Sequence, residues 1–273
     1  MLIGRGRYDA AFGVLQRTLG SEQEARKELD AIKQRVVEES GESFWSTLKG
    51  SHAVRMALIL AIGLAFLQQA SGINAIFYYA PEILKEVGLG GYGRELTAAL
   101  GLINVLATFI AIWLVDRVGR RPLLLGGTAL MMASQVVIGV TGTLFLVEGG
   151  SGPSAAGIVI LISLCIAIIA FAFSLGPLVW LAISEIFPAG VRSACVGVAT
   201  SFNWIGNYVI AQGTLGAVEY SPSLAFWIFA ACNALTIAFV YFRMPETKGV
   251  PLEDIEKFFD KKTSGGDGAA SAG

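Results

Sequence analysis

Phe66-Leu67-Gln68-Gln69-Ala70-Ser71-Gly72-Ile73-Asn74-Ala75-Ile76-Phe77-Tyr78-Tyr79-Ala80-Pro81 is the stretch on which the fold turns. It lies inside an apolar run, 54–84, longer than the roughly 20 residues a helix needs to cross a bilayer. Yet it carries three side-chain amides, a Ser-Gly step that interrupts a helix, and two adjacent tyrosines. Amides turned toward lipid are costly, so within a span they face protein or water.

Five more runs of spanning length follow, at roughly 96–115, 123–147, 155–187, 194–217 and 223–242. They are continuous rather than alternating, which selects helices over a barrel. The expected fold is an all-α membrane protein: a bundle of six transmembrane helices over 51–243, a polar helical segment over 1–50 and a polar tail over 244–273. Charge distribution agrees. Of 41 charged side chains in 273 residues, only fourteen fall between residues 51 and 242. An ordinary soluble surface needs roughly a quarter to a third charged residues. A net charge of −1 gives no basic excess for nucleic acid. One histidine, His52, and three scattered cysteines, Cys165, Cys195 and Cys232, give no metal motif and no disulfide framework. No nucleophile–base pair is visible, so neither an enzyme nor a cofactor is expected.

Lysines and arginines near the span ends set orientation. Lys49, Arg55, Arg117, Arg120, Arg121, Arg192, Arg243 and Lys248 fall on one side, and Lys85 and Arg94 on the other. Both termini are therefore expected in the cytoplasm. Residues 1–50 read as two short helices, Tyr8–Leu19 and a second from Ser21, where Glu24 completes a capping box, to about Gly41. Gly4-x-Gly6 has no strand beside it and is no dinucleotide site.

The first run is interrupted at Ser71-Gly72 and the fourth at Ser174-Leu175-Gly176-Pro177. These are the first members of two three-helix units. Paired breaks in matching positions point to a ligand site near the membrane midplane. Polar residues cluster around them: Gln68, Gln69 and Asn74 at the first break, Trp180 after the second, and Asn104 in the second run. Thr200, Asn203 and Asn207 share one face of the fifth run, beside Trp204. Amides donate and accept as hydroxyls do, and aromatic rings offer flat apolar faces. No ionisable residue lies deep in any run, which suits an uncharged, polyhydroxylated ligand. Packing competes for these roles. Asn104 serves equally as an interhelical contact, Asn233 and Thr236 read as packing contacts, and Trp227 and Tyr241 as interfacial anchors.

Five segments together resemble the sugar porters of the major facilitator superfamily. The opening stretch is similar to that family's seventh helix. Asp116-Arg117-Val118-Gly119-Arg120-Arg121 resembles its basic loop between helices eight and nine. Gly176-Pro177-Leu178-Val179-Trp180, with Ser184-Glu185-Ile186-Phe187-Pro188 and Arg192, resembles helix ten and the loop after it. Phe202-Asn203-Trp204 resembles helix eleven, and Pro245-Glu246-Thr247-Lys248-Gly249 the C-terminal signature.

The resemblance implies transport of a neutral monosaccharide, such as a hexose, a pentose or a related polyol, by alternating access at the plasma membrane. Uniport and proton symport both stay open. It implies sugar contacts from Gln68, Gln69, Asn74, Asn104, Trp180 and Asn203, and a gate at Tyr78 and Tyr79. Helix breaks fall at Gly72, Gly176 and Pro177. A cytoplasmic charge network would comprise Asp116, Arg117, Arg120, Arg121, Glu185, Arg192 and Glu246.

Ala172 stands where facilitative animal glucose transporters carry an acid, which is more like proton-coupled, plant or microbial members. Leu175 replaces the commoner tryptophan before Gly-Pro. Family members have twelve spans in two halves. The expectation is therefore the C-terminal half, beginning inside the cytoplasmic linker. Its partners would be lipid, a small sugar and a matching N-terminal six-helix half, which carries the family's proton-coupling acid. A membrane sugar sensor and an inactive truncated product are the alternatives.

Overall fold

The computed structural model describes residues 8–19, 21–30, 44–86, 89–145 and 155–250. The end of the second short helix near Gly41, the Gly4-x-Gly6 segment and the tail after Val250 lie outside the described residues, as does the Asp116 side chain. Helices α1 (Tyr8–Leu19) and α2 (Phe44–Gly50) precede the bundle. A further helical stretch covers residues 22–30. At its start the Glu24 amide lies 3.5 Å from Ser21 Oγ, the first bond of the expected cap.

The bundle runs α3 (His52–Ala70), α4 (Ile73–Glu86), α5 (Gly93–Val118), α6 (Arg120–Phe145), α7 (Ala155–Ala172), α8 (Leu175–Glu185), α9 (Ala189–Tyr220) and α10 (Pro222–Arg243). Two pairs are single runs broken in the middle: α3 with α4, and α7 with α8. Five stretches are long and apolar enough to cross a membrane: His52–Tyr79, Gly90–Val115, Arg120–Leu144, Ala155–Glu185 and Ser223–Arg243. The expected fifth span, 194–217, lies within α9, a helix of 32 residues that is not among these five. Thr200, Ser201, Asn203, Asn207, Gln212 and Thr214 interrupt its apolar run.

Helix ends follow local chemistry. Ser51 caps α3, its hydroxyl accepting from the Val54 amide at 3.2 Å. Arg55 reaches back to the carbonyls of Leu48 (3.2 Å) and Lys49 (2.8 Å) at the end of α2. Gly119, at φ 106°, lets α5 turn directly into α6.

Packing respects the two-unit plan. If α3/α4, α5 and α6 form one unit and α7/α8, α9 and α10 the other, exchanging the units maps α3·α9 onto α5·α7. It maps α6·α10 onto itself, and all three pairs pack closely. In lipid no hydrophobic force separates helix from solvent, so association rests on close approach and interhelical hydrogen bonds. The α3·α9 seam shows both. Ala57, Ala61 and Ala65 are buried at four-residue spacing on α3, as are Cys195, Ala199 and Asn203 on α9. Asn203 Nδ2 then reaches the Ala65 carbonyl at 2.8 Å. By contrast α5 presents Phe109, Ile110 and Trp113, and α9 presents Trp204 and Tyr208, as exposed faces.

Candidate binding site

The breaks put polar groups where a continuous helix could not. At the first, Gly72 takes φ 84°, a value strained for any L side chain, and the Phe229 ring packs against its Cα. Ser71 Oγ donates to the Gln68 carbonyl at 2.6 Å. At the second, Ser174 Oγ donates to the Ala170 carbonyl at 2.6 Å, and Pro177 sits in the first turn of α8, where a missing N–H costs little.

One amide network connects them. Gln68 Nε2 donates to the carbonyls of Leu175 (2.7 Å) and Gly176 (3.3 Å), so a side chain of the first break holds the second. Gln68 Oε1 accepts from Asn203 Nδ2 at 2.8 Å. Asn203 Oδ1 accepts from Gln69 Nε2 at 2.9 Å. Gln69 Oε1 then accepts twice, from Asn74 Nδ2 at 2.7 Å and from Asn207 Nδ2 at 3.1 Å. Gln68, Gln69 and Asn203 are buried, whereas Asn74 and Asn207 at the edge are partly exposed. The chain of bonds orients each amide and leaves Asn74 and Asn207 at its partly exposed edge.

Of the expected contact residues, Gln68, Gln69, Asn74 and Asn203 come together. Asn104 does not join them. It lies on α5 with its Oδ1 buried and without a partner among the described residues. Trp180 stands on α8, one turn after Pro177, and is partly exposed. Asn207 joins the network although it was not among the expected contacts; its position one turn after Asn203 was the available signal. Tyr78 is exposed and Tyr79 half-buried, both on α4 beyond the break. A crevice of about 990 Å³ lies at the end of the bundle carrying Lys85, Gly90 and Arg94, away from the amides.

At the opposite end, Arg120 pairs with Glu185 at 3.0 Å, both side chains largely buried. Thr247 Oγ1 donates to the other oxygen of Glu185. Glu246 accepts from the backbone amides of Arg120 (3.0 Å) and Arg121 (3.1 Å), capping α6 from a distant segment. Three cations are engaged differently. Arg117 stacks on the Trp113 ring at 3.8 Å. Arg121 donates to the Tyr241 carbonyl at 2.7 Å. Arg192 donates twice to the Phe187 carbonyl, at 3.1 and 3.0 Å.

The family profile described as "Sugar (and other) transporter" matches residues 1–259. The galactose-proton symporter of Escherichia coli K12 is 39% identical over 255 residues, spanning 92% of this chain and 53% of that protein. The arabinose-proton symporter of Bacillus subtilis is 37% identical over 258 residues, spanning 94% and 53%. Sugar transport protein MST7 of Oryza sativa is 34% identical over 264 residues, spanning 94% and 51%. Among solved structures, the proton:xylose symporter XylE bound to 6-bromo-6-deoxy-D-glucose aligns with a TM-score of 0.69 at 27% identity, over 94% of this chain and 53% of that one. The chain thus spans about half the length of the curated relatives it matches.

Proposed function

The chain belongs to the sugar transporter family of the major facilitator superfamily, and from that premise we propose that it forms the six-helix, sugar-coordinating half of an alternating-access transporter. The observation that carries this reading is the single amide network joining both helix breaks. Hydrogen-bonded amides held in fixed orientation are suited to a ligand whose surface is hydroxyl groups, and no charge sits among them to demand a charged ligand. Asn74 and Asn207 contact the sugar directly. Gln68, Gln69 and Asn203 form the shell that orients them, and Trp180 supplies an apolar ring for the sugar's C–H face.

The relatives are named for galactose, arabinose and xylose, so the ligand is a hexose or pentose, and proton coupling belongs to the transporter completed by an N-terminal half. That half covers the exposed faces of α5 and α9. The reading places the protein in the plasma membrane, and the lysine and arginine distribution supports cytoplasmic termini. The Arg120–Glu185–Glu246 corner stabilises the closed cytoplasmic end.

The test joins this chain to the N-terminal half of the galactose-proton symporter and measures uptake of galactose, arabinose and xylose. Asn74→Ala should lower apparent sugar affinity at least about tenfold, the loss of one or two hydrogen bonds to a hydroxylated ligand. Gln68→Ala should lower affinity and uptake together. Unchanged uptake and affinity in both variants would remove the amides from the sugar site.

A further inference from the structure

A second set of amides lies outside the network described above, on two helices that carry none of its members. Gln135 on α6 and Asn233 on α10 are both fully buried. Their target is the backbone of the first break. Gln135 Nε2 donates to the Ser71 carbonyl at 2.7 Å, and Asn233 Nδ2 approaches the same oxygen at 3.3 Å. The two amides are themselves joined, Asn233 Nδ2 donating to Gln135 Oε1 at 2.8 Å. Ser71 is fully buried, so its carbonyl, released from the helical ladder by the turn at Gly72, has no water to accept from.

Asn233 also ties this point to the break's other fixed feature. Its Nδ2 lies 3.1 Å from the Phe229 carbonyl one turn earlier, and the Phe229 ring is the one packed on Gly72. One turn of α10 therefore holds both the Ser71 carbonyl and the Gly72 Cα. The arrangement has a cost: Asn233 Oδ1 is buried with no partner among the described residues. An amide whose acceptor is left unpaired while its donors are shared among three oxygens is oriented by its donors.

We propose that Gln135 and Asn233 are positioning residues: they clamp the Ser71 carbonyl and so fix the pivot about which α4, bearing Asn74, Tyr78 and Tyr79, moves relative to α3. Neither residue touches the ligand. In a transporter the clamp acts on the rate of gate movement and not on sugar affinity; this consequence rests on the transport reading, while the clamp itself does not.

Removing one amide alone leaves the other on the Ser71 carbonyl, so the decisive variant removes both. Gln135→Met with Asn233→Leu replaces the pair by apolar side chains of similar volume, so that the buried Ser71 carbonyl loses both donors and no buried side-chain amide is left in their place. The readout is hydrogen exchange of the full chain in lipid nanodiscs. Amides 72–79 should exchange about tenfold faster than in the unmodified chain, while α7 is unchanged. The exchanged pair, Gln135→Asn with Asn233→Gln, keeps two joined amides and should recover most of the protection. Exchange at 72–79 equal to that of the unmodified chain in the Met/Leu variant overturns the clamp. In the fusion carrying an N-terminal half, the Met/Leu variant should lower the maximal uptake rate about fivefold with KM within about twofold. A KM change as large as the rate change overturns the gating consequence. Faster exchange together with no sugar uptake by the unmodified fusion leaves the clamp standing and removes the transport reading.

Discussion

The two helix breaks occupy matching places in the two three-helix units, yet they are built differently. Each uses a serine whose hydroxyl bonds back to the preceding turn, Ser71 to Gln68 and Ser174 to Ala170. Beyond that they diverge. The first depends on a glycine at positive φ and on side chains from three other helices: Asn203 through Gln68, Gln135 and Asn233. The second has no glycine at positive φ. It carries a proline within its own chain and receives Gln68 on its carbonyls. Side-chain hydrogen bonds can be broken and remade, whereas the proline denies the second break a backbone N–H in any arrangement. The first break therefore depends more on its neighbours than the second does.

The largest effect should come from Gly72→Ala. An L residue at φ 84° is strained, and the new Cβ would enter the Phe229 ring. Strain and overpacking together should cost on the order of 2–4 kcal/mol, measured as a fall in the thermal unfolding midpoint in detergent. Gly176→Ala meets Phe171, with the added Cβ 3.1 Å from the ring and 3.2 Å from the backbone carbonyl oxygen, at an ordinary φ. It should cost on the order of 1 kcal/mol, because the ring can give by a few tenths of an ångström and the carbonyl contact is only slightly tight. Equal losses at both glycines would erase the distinction between the breaks.

Gln68→Met comes next. Volume is kept, but the carbonyls of Leu175 and Gly176 lose a donor and Asn203 Nδ2 loses an acceptor. Interhelical hydrogen bonds in membranes average about 0.6 kcal/mol, and stranded buried groups add to this, so about 1–2 kcal/mol is expected. The informative measurement is hydrogen exchange at both breaks. Faster exchange confined to residues 68–76 would show that Gln68 does not hold the second break.

What the sequence made legible follows from contrast. An amide in an apolar run is conspicuous, so Gln68, Gln69, Asn74 and Asn203 could be picked out, and Ser71-Gly72 and Gly176-Pro177 marked the breaks because glycine and proline change backbone rules. Gln135 escaped notice, and Asn233 read as simple packing, because their shared partner is a backbone oxygen that no residue type announces. Glu246 was legible as an acid of a charge network. Its use as a cap on α6 was not, since capping is recognised from neighbouring positions and Glu246 acts across 125 residues on Arg121. Asn104 is equally conspicuous, polar and mid-span, but its place on α5 keeps it out of the network, which spacing along the chain does not reveal. The long helix α9 fell short of the apolarity of its neighbours for a physical reason, because Asn203 and Asn207 of the amide network are among the residues that lower its hydropathy.

The smallest expected effect is the sharpest test of how the second break is held. Pro177→Ala removes the ring from the first turn of α8 and supplies an N–H that could reach back toward Phe173, offering α7 and α8 a route to join. The Ser174 backbone, at φ −127° and ψ −98°, opposes that route, as do the bond from Ser174 Oγ to Ala170 and the grip of Gln68 on Leu175 and Gly176. With those constraints intact, proline at this position excludes an alternative more than it stabilises the observed turn, and its loss should shift stability by less than about 1 kcal/mol. In the Gln68→Met background the same substitution should cost or gain distinctly more, because the competing constraint is gone and the two sites share one turn. Purely additive effects in the unfolding midpoint would mean that the ring and the Gln68 link act on the second break independently.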